Sequence, residues 1–310
     1  MAVEPFKGIV VAMVTPYKRP SLEVDVEAVK WLVERLSEAG VQGVLVGGTT
    51  GEKELLSPEE VLRLASAALD AARGGLKVFA GVPSARPSET YEAARMLGEL
   101  GVDYVLATPP LYYRPSKRSI QDFYVKLAMA SGDAGVFAYT IPSHVGYSLD
   151  SDVIVDLASI GAVEGVKATV SDLRYLAGLA LLAEDRGVHS KFSLLVGSSE
   201  SLPQALALGY HGAVDAIANV APRLPLAMVK AWHEGDTKAL SRLARLAARL
   251  GRAARGGGDI QWTLKAAIKR MGGPVEDLVR QPLEAGSAEE LIDVLCGEAR
   301  EYLLPGLECP

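Results

Sequence analysis

Short runs of apolar and β-branched residues recur along the chain at Gly8 to Pro16, Val41 to Gly48, Lys77 to Val82, Tyr104 to Pro109, Gly135 to Ile141, Val163 to Ala168, Ser193 to Gly197 and Gly212 to Ile217. They lack the two-residue alternation of a half-buried strand, so each predicts a strand covered on both faces. Helical patterns stand between them. Val29, Leu32, Val33 and Leu36 share one helical face, and Ser57-Pro58-Glu59-Glu60 supplies an N-cap, a first-turn proline and a capping-box glutamate. Strand-helix units of about 30 residues predict a parallel sheet. Eight of them favour a closed barrel over an open doubly wound sheet, for which the chain carries no dinucleotide fingerprint. After Pro222 the strand pattern stops and the chain turns helical, with Ala/Leu/Arg-rich residues from Ala239 onward, a break at Gly256-Gly257-Gly258-Asp259 and two further helical segments. The expected architecture is therefore α/β: a (β/α)8 TIM barrel over residues 1–222, with 223–310 as a barrel-closing helix and C-terminal helical extension.

Composition narrows the function. At 310 residues, 49% of them hydrophobic and 23% charged, the chain can bury a large core. A net charge of -6 argues against a nucleic-acid partner, which calls for a basic surface, but leaves room for a small anionic substrate. Cys296 and Cys309, both late in the chain, make neither a disulfide framework nor a zinc-like spacing. His144, His189, His211 and His233 are scattered, so no metal is expected in the chemistry. The N-terminal residues do not read as a secretory signal and no apolar run reaches the roughly 18 residues of a membrane span, so a cytoplasmic location without membrane contact is expected.

Barrel active sites lie at the C-terminal ends of the strands, where the most unusual residues of this chain gather. Lys167 is a single cation in the apolar run Val163 to Val170. Burial disfavours an ammonium, and a lysine whose head cannot reach water offers a nucleophilic amine able to form a Schiff base; one at a strand end can instead snorkel to solvent. Gly47-Gly48-Thr49-Thr50-Gly51-Glu52 follows the second strand. Its glycines allow backbone N–H groups to approach a carboxylate, or serve only a tight turn, and the string lacks phosphate-loop spacing. Tyr112, Tyr113 and Tyr139 close the fourth and fifth strands as packing residues or, beside an amine, as proton shuttles.

These strings, with Pro109 to Ser116, Tyr139-Thr140-Ile141-Pro142, Gly165-Val166-Lys167, Ala218 to Pro222 and Val279 to Leu283, resemble the pyruvate-dependent class I lyase family of dihydrodipicolinate synthase, N-acetylneuraminate lyase and 2-keto-3-deoxygluconate aldolase. The match runs from about Gly8 to Leu283, in order and spacing. The resemblance implies a Schiff base between Lys167 and pyruvate. It implies a carboxylate cradle at Gly48, Thr49 and Thr50, with the Thr49 hydroxyl in a proton relay and Tyr139 as acid/base. Tyr112 would cross into a neighbouring subunit of a homotetramer, and Gly197 and Val214 would line the pocket with backbone. Pyruvate and an aldehyde are the implied partners, and no cofactor is needed.

Departures from the family bear on the aldehyde. Dihydrodipicolinate synthases place a carboxylate-binding arginine two residues after the proline that follows their strand-five tyrosine; here that residue is His144, and a neutral imidazole is a poor substitute for a bidentate guanidinium. Thr169 matches a threonine of the sialic-acid and ketodeoxygluconate lyases, where hydroxyl-rich aldehydes are bound, or is a β-branched strand residue and no more. Glu200 lies where the sialic-acid enzymes hold a hydroxyl-binding glutamate. Ala168, Thr140 and Lys53 replace an acidic or polar, an asparagine and an apolar residue. Arg114, Lys117 and Arg118 beside Tyr112 form either a phosphate contact or a solvated face. The pattern favours an aldolase that joins pyruvate to a hydroxyaldehyde, or cleaves a 2-keto-3-deoxy sugar acid. The alternatives are dihydrodipicolinate synthase, acting on aspartate semialdehyde, and a non-catalytic pyruvate-binding barrel that would have no need of the lysine.

Overall fold

The computed structural model describes residues 4–310. Eight strands, β1 (Gly8–Ala12), β2 (Gly43–Val46), β3 (Lys77–Gly81), β4 (Tyr104–Ala107), β5 (Gly135–Thr140), β6 (Gly165–Ala168), β7 (Ser193–Val196) and β8 (Gly212–Asp215), pair in parallel in sequence order and close into a barrel. The fold is the (β/α)8 barrel that the apolar runs predict. Most strands end sooner than the runs do. Met13 and Val14 are buried without belonging to β1, because the apolar residues run on into loops that wall the upper end of the barrel.

Closure is made by β1 on β8, where Gly8 pairs with Gly212. A Cβ on Gly212 would lie 1.9 Å from the Gly8 carbonyl oxygen, and its φ of +156° lies in a region that side chains rarely adopt. The seam therefore requires glycine. Toward the strand N-termini the barrel is filled by Phe6, Phe79, Tyr104 and Phe137; Phe79 stacks on Tyr104 at 4.5 Å between centroids and Phe137 meets both edge-on. That plug leaves the opposite end for polar chemistry.

Around the barrel run α1 (Val26–Ala39), α2 (Pro58–Ala72), α3 (Pro87–Leu100), α4 (Lys117–Ser131), the single turn α5 (Pro142–Val145), α6 (Ser151–Ser159), α7 (Leu173–Asp185), α8 (Leu202–Ala207) and α9 (Arg223–His233). Helix α1 buries Ala28, Val29, Leu32, Val33 and Leu36, the face read from the sequence. Helix α2 opens with the expected capping box: Ser57 Oγ accepts from Glu60 N at 3.3 Å and Glu60 Oε2 accepts from Ser57 N at 2.9 Å. Beyond α9 come α10 (Thr237–Gly256), α11 (Ile260–Arg270) and α12 (Glu289–Gly297).

Composition does not foretell one covalent feature of this extension. Cys296, late in α12, is disulfide-bonded to Cys309, with Cα atoms 5.7 Å apart. The chain reverses after the short turn Arg300–Tyr302, which brings the C-terminal segment back over the helix end. One bridge is not a framework, but the cysteines are cross-linked. Among the described residues no helix is long and apolar enough to cross a membrane, and no three His, Cys, Asp or Glu side chains converge as a metal site would need.

Candidate active site

Lys167 lies in β6 and pairs in register with Tyr139 of β5, so parallel pairing alone sets the two side chains abreast on one face. The lysine does not snorkel. It is 3% exposed, and its Nζ stands 4.2 Å from the centroid of the buried Tyr139 ring. Burial alone would raise the pKa of the Tyr139 phenol, but the Lys167 charge and the hydrogen bond from Thr49 outweigh it and hold the group below its ordinary value of 10. Thr49 Oγ1 and Tyr139 Oη share that hydrogen bond at 3.3 Å. An amine, a phenol and a hydroxyl are thereby linked at the mouth of the barrel.

Thr49 is placed by an anchored loop. The Thr49 carbonyl accepts from Gln261 Nε2 at 3.2 Å and from Glu52 N at 3.1 Å, while Thr15 Oγ1 donates to the Gly51 carbonyl at 2.7 Å. Glu52 itself adopts φ +62°, costly for a residue with a side chain, and is held there from below. Its buried carboxylate accepts from Tyr17 Oη at 3.2 Å, Arg280 N at 3.0 Å and Lys265 Nζ. Lys265 also donates to the Leu278 carbonyl at 2.6 Å, and burial pulls its pKa down to about 8 against the Glu52 carboxylate. The Lys265 ammonium and the Arg280 backbone N–H both come from the C-terminal extension, so that extension holds the threonine loop in place.

Thr49 also borders a cavity of about 270 Å³, shared with Lys53, Glu54, Thr108, His144 and Gln261. His144 sits in α5 with Nδ1 3.0 Å from Ser143 Oγ. Burial, then the charges of Lys167 and Lys53, push its pKa below 6.5, so the imidazole is neutral at neutral pH. Lys53, read from the sequence only as a departure from an apolar position, is buried on the cavity wall. The missed signal was a charge at an otherwise apolar place. Gln261 and Lys265 gave no such signal, being ordinary polar positions on α11.

The remaining predicted residues fall in different places. Thr50 is buried directly after Thr49. Thr169 follows β6, its Oγ1 buried without a hydrogen-bond partner, and packs against Gly197, where a Cβ would come within 1.9 Å of that oxygen. Gly48 closes the loop by accepting from Lys53 N at 3.1 Å, and Val214 is buried in β8. Glu200 does not border the cavity; Arg255 of α10 takes both its oxygens, at 2.8 and 2.9 Å. Tyr112 stands apart from Lys167, 91% exposed, with φ +72° and its ring edge-on to Tyr113. Lys117 of the basic cluster is paired with Asp150 and Asp152 at 3.1 and 2.8 Å.

A barrel with a buried strand lysine beside a tyrosine and a threonine loop defines a class of lysine-dependent carbonyl enzymes. Residues 5–294 match the model of the dihydrodipicolinate synthetase family. The 4-hydroxy-tetrahydrodipicolinate synthase of Methanothrix thermoacetophila is 33% identical over 243 residues, 78% of this chain and 80% of that one. Among solved structures, dihydrodipicolinate synthase from Thermotoga maritima superposes with a TM-score of 0.87 at 26% identity, covering 94% of this chain and 98% of that one. A sialic acid aldolase from Ruminococcus gnavus, a catalytic lysine mutant, has the same fold, with a TM-score of 0.88 at 22% identity over 96% of this chain and 98% of that one. The chain belongs to the dihydrodipicolinate synthetase family and is a class I, pyruvate-dependent lyase.

Proposed function

We propose that the enzyme joins pyruvate to a hydroxyaldehyde through a Schiff base on Lys167 and, in reverse, cleaves a 2-keto-3-deoxy sugar acid to the same two products. The observation that carries this is the Thr49 to Tyr139 hydrogen bond beside the Lys167 amine, which sets a hydrogen-bonded phenol next to the nucleophile. In this reading the free amine adds to the pyruvate ketone carbon, and Tyr139 delivers the proton that lets the carbinolamine lose water. The substrate carboxylate rests on the Gly48, Thr49 and Thr50 segment, whose backbone N–H groups suit an anion. The iminium then draws electrons from the methyl carbon, which loses a proton to give an enamine. The enamine carbon attacks the aldehyde carbonyl, the new alkoxide takes a proton, and water hydrolyses the imine to restore Lys167.

The aldehyde is assigned from the cavity. His144 is neutral and holds no fixed charge for a carboxylate, which favours a hydroxylated partner over aspartate semialdehyde. The second reading, 4-hydroxy-tetrahydrodipicolinate synthase, has the Methanothrix relative in its favour. Tyr112, exposed and strained in one chain, would complete the relay of a neighbouring subunit in a homotetramer, since a strained surface tyrosine has no evident use within its own chain. The reaction is tested by incubating the enzyme with pyruvate and borohydride and locating the added mass: it is expected on Lys167, and a label elsewhere overturns the mechanism. Turnover of glyceraldehyde but not aspartate semialdehyde supports the first reading of the substrate, and the converse supports the second.

A further inference from the structure

Lys53 is 6% exposed and takes part in no step of this chemistry. Its Nζ donates to Ser84 Oγ at 2.8 Å and to Thr108 Oγ1 at 3.2 Å, and stands 3.1 Å from Glu54 Oε1. Two of the ammonium's three protons go to these hydroxyls, and the Glu54 carboxylate stands against its remaining charge. A buried cation is costly, and the carboxylate paired with it is Glu54, whose side chain is 39% exposed and borders the 270 Å³ cavity together with Thr49 and His144. The lysine therefore spends its charge on fixing a carboxylate at the cavity wall.

We propose that Glu54, positioned by Lys53, is a hydroxyl-accepting subsite that selects uncharged hydroxyaldehydes over aldehydes bearing a carboxylate or phosphate. The proposal rests on the aldolase reading above and deepens it to a substrate class. An ionised carboxylate only accepts hydrogen bonds, and an O–H to carboxylate bond is about twice as strong as a neutral one. The same charge repels an anionic aldehyde, so one residue both attracts the right partner and rejects the wrong one. The cavity offers nothing to reverse that preference, since the neutral His144 adds no positive charge and Lys53 is already engaged.

The test compares glyceraldehyde with propanal, which has the same carbon skeleton but no hydroxyls, each with pyruvate. In Glu54→Gln the ratio of kcat/KM for glyceraldehyde over propanal is expected to fall by roughly tenfold, in line with losing a charged acceptor. Lys53→Met is expected to raise KM for glyceraldehyde more than it lowers kcat, with Lys53→Arg recovering part of the loss; a purely structural lysine would lower kcat and thermal stability together. An unmoved ratio in Glu54→Gln overturns the subsite. Wild-type preference for glyceraldehyde 3-phosphate over glyceraldehyde also overturns it, and would make Lys53 an anion site from which Glu54 swings away. Borohydride trapping of pyruvate on wild-type Lys167 separates the two layers. If trapping succeeds and the ratio stays flat, only the subsite fails; without trapping, the aldolase reading fails and the subsite with it.

Discussion

Tyr139 owes its chemistry to two neighbours. A phenol buried alone would hold its proton more tightly than in water, whereas Lys167 and Thr49 together reverse that direction. The acid form is lost as pH rises through the folded pKa, and a lowered value brings that loss below pH 10. An alkaline limb in the kcat profile is thus expected below pH 10, and Tyr139→Phe should remove it while lowering kcat by about 100-fold or more. Steady-state rates with pyruvate and glyceraldehyde between pH 6 and 10 check both, and a limb that survives in the phenylalanine variant assigns it to another group. At this scale the sequence was informative wherever a residue was out of place for its element, as Lys167 is in a strand. It flagged Lys53 as a charge at an apolar place but not as a cavity group, because exposure is decided by what packs on a residue.

Between elements, the barrel depends on places where backbone or charge leaves no alternative. Gly212→Ala drives a methyl group into the Gly8 carbonyl across the β1–β8 seam and is expected to lower the urea midpoint by the equivalent of about 1–3 kcal/mol. A midpoint within error of wild type would mean that the seam opens at little cost. The second place is the buried pair of Glu52 and Lys265, which ties the loop after β2 to α11. Lys265→Met removes the cation and leaves a carboxylate with no charge partner of its own, a loss of about 3–5 kcal/mol. If the urea midpoint is unchanged, Tyr17 and Arg280 suffice to hold Glu52. The glutamate is legible in the sequence as part of a motif. Its partners Lys265 and Arg280, more than 200 residues away, are not, since no periodicity couples distant helices to a loop.

For the whole molecule, two features extend beyond the barrel. Tyr112 and Tyr113 are the most exposed large aromatic residues described, a pair that a second subunit would cover. Tyr112→Phe is expected to lower turnover about 10-fold or more without moving the thermal midpoint of the chain, and unchanged turnover removes Tyr112 from the relay. The disulfide closes a loop across a separation of 13 residues, for which chain entropy gives about 3 kcal/mol. Cys296→Ser, or reduction by dithiothreitol, should therefore lower the thermal midpoint by several degrees. Equal midpoints with and without reductant would show the link to be energetically idle.

Hydrophobic period and local capping chemistry sufficed to place eight strands, the first helix face and the capping box of α2, because each depends on neighbours a few residues apart. Residue type and place at strand ends made Lys167, Tyr139 and Thr49 candidates, and the family resemblance implied their roles. Only the tertiary structure decided that Lys167 is enclosed, that Lys53 holds Glu54 on the cavity wall, that Glu200 is taken by Arg255, and that two late cysteines meet. Each of those outcomes turns on which distant groups share a low-dielectric space or come within bonding distance. Closure of the barrel and the return of its C-terminal extension set that, and no local pattern encodes it.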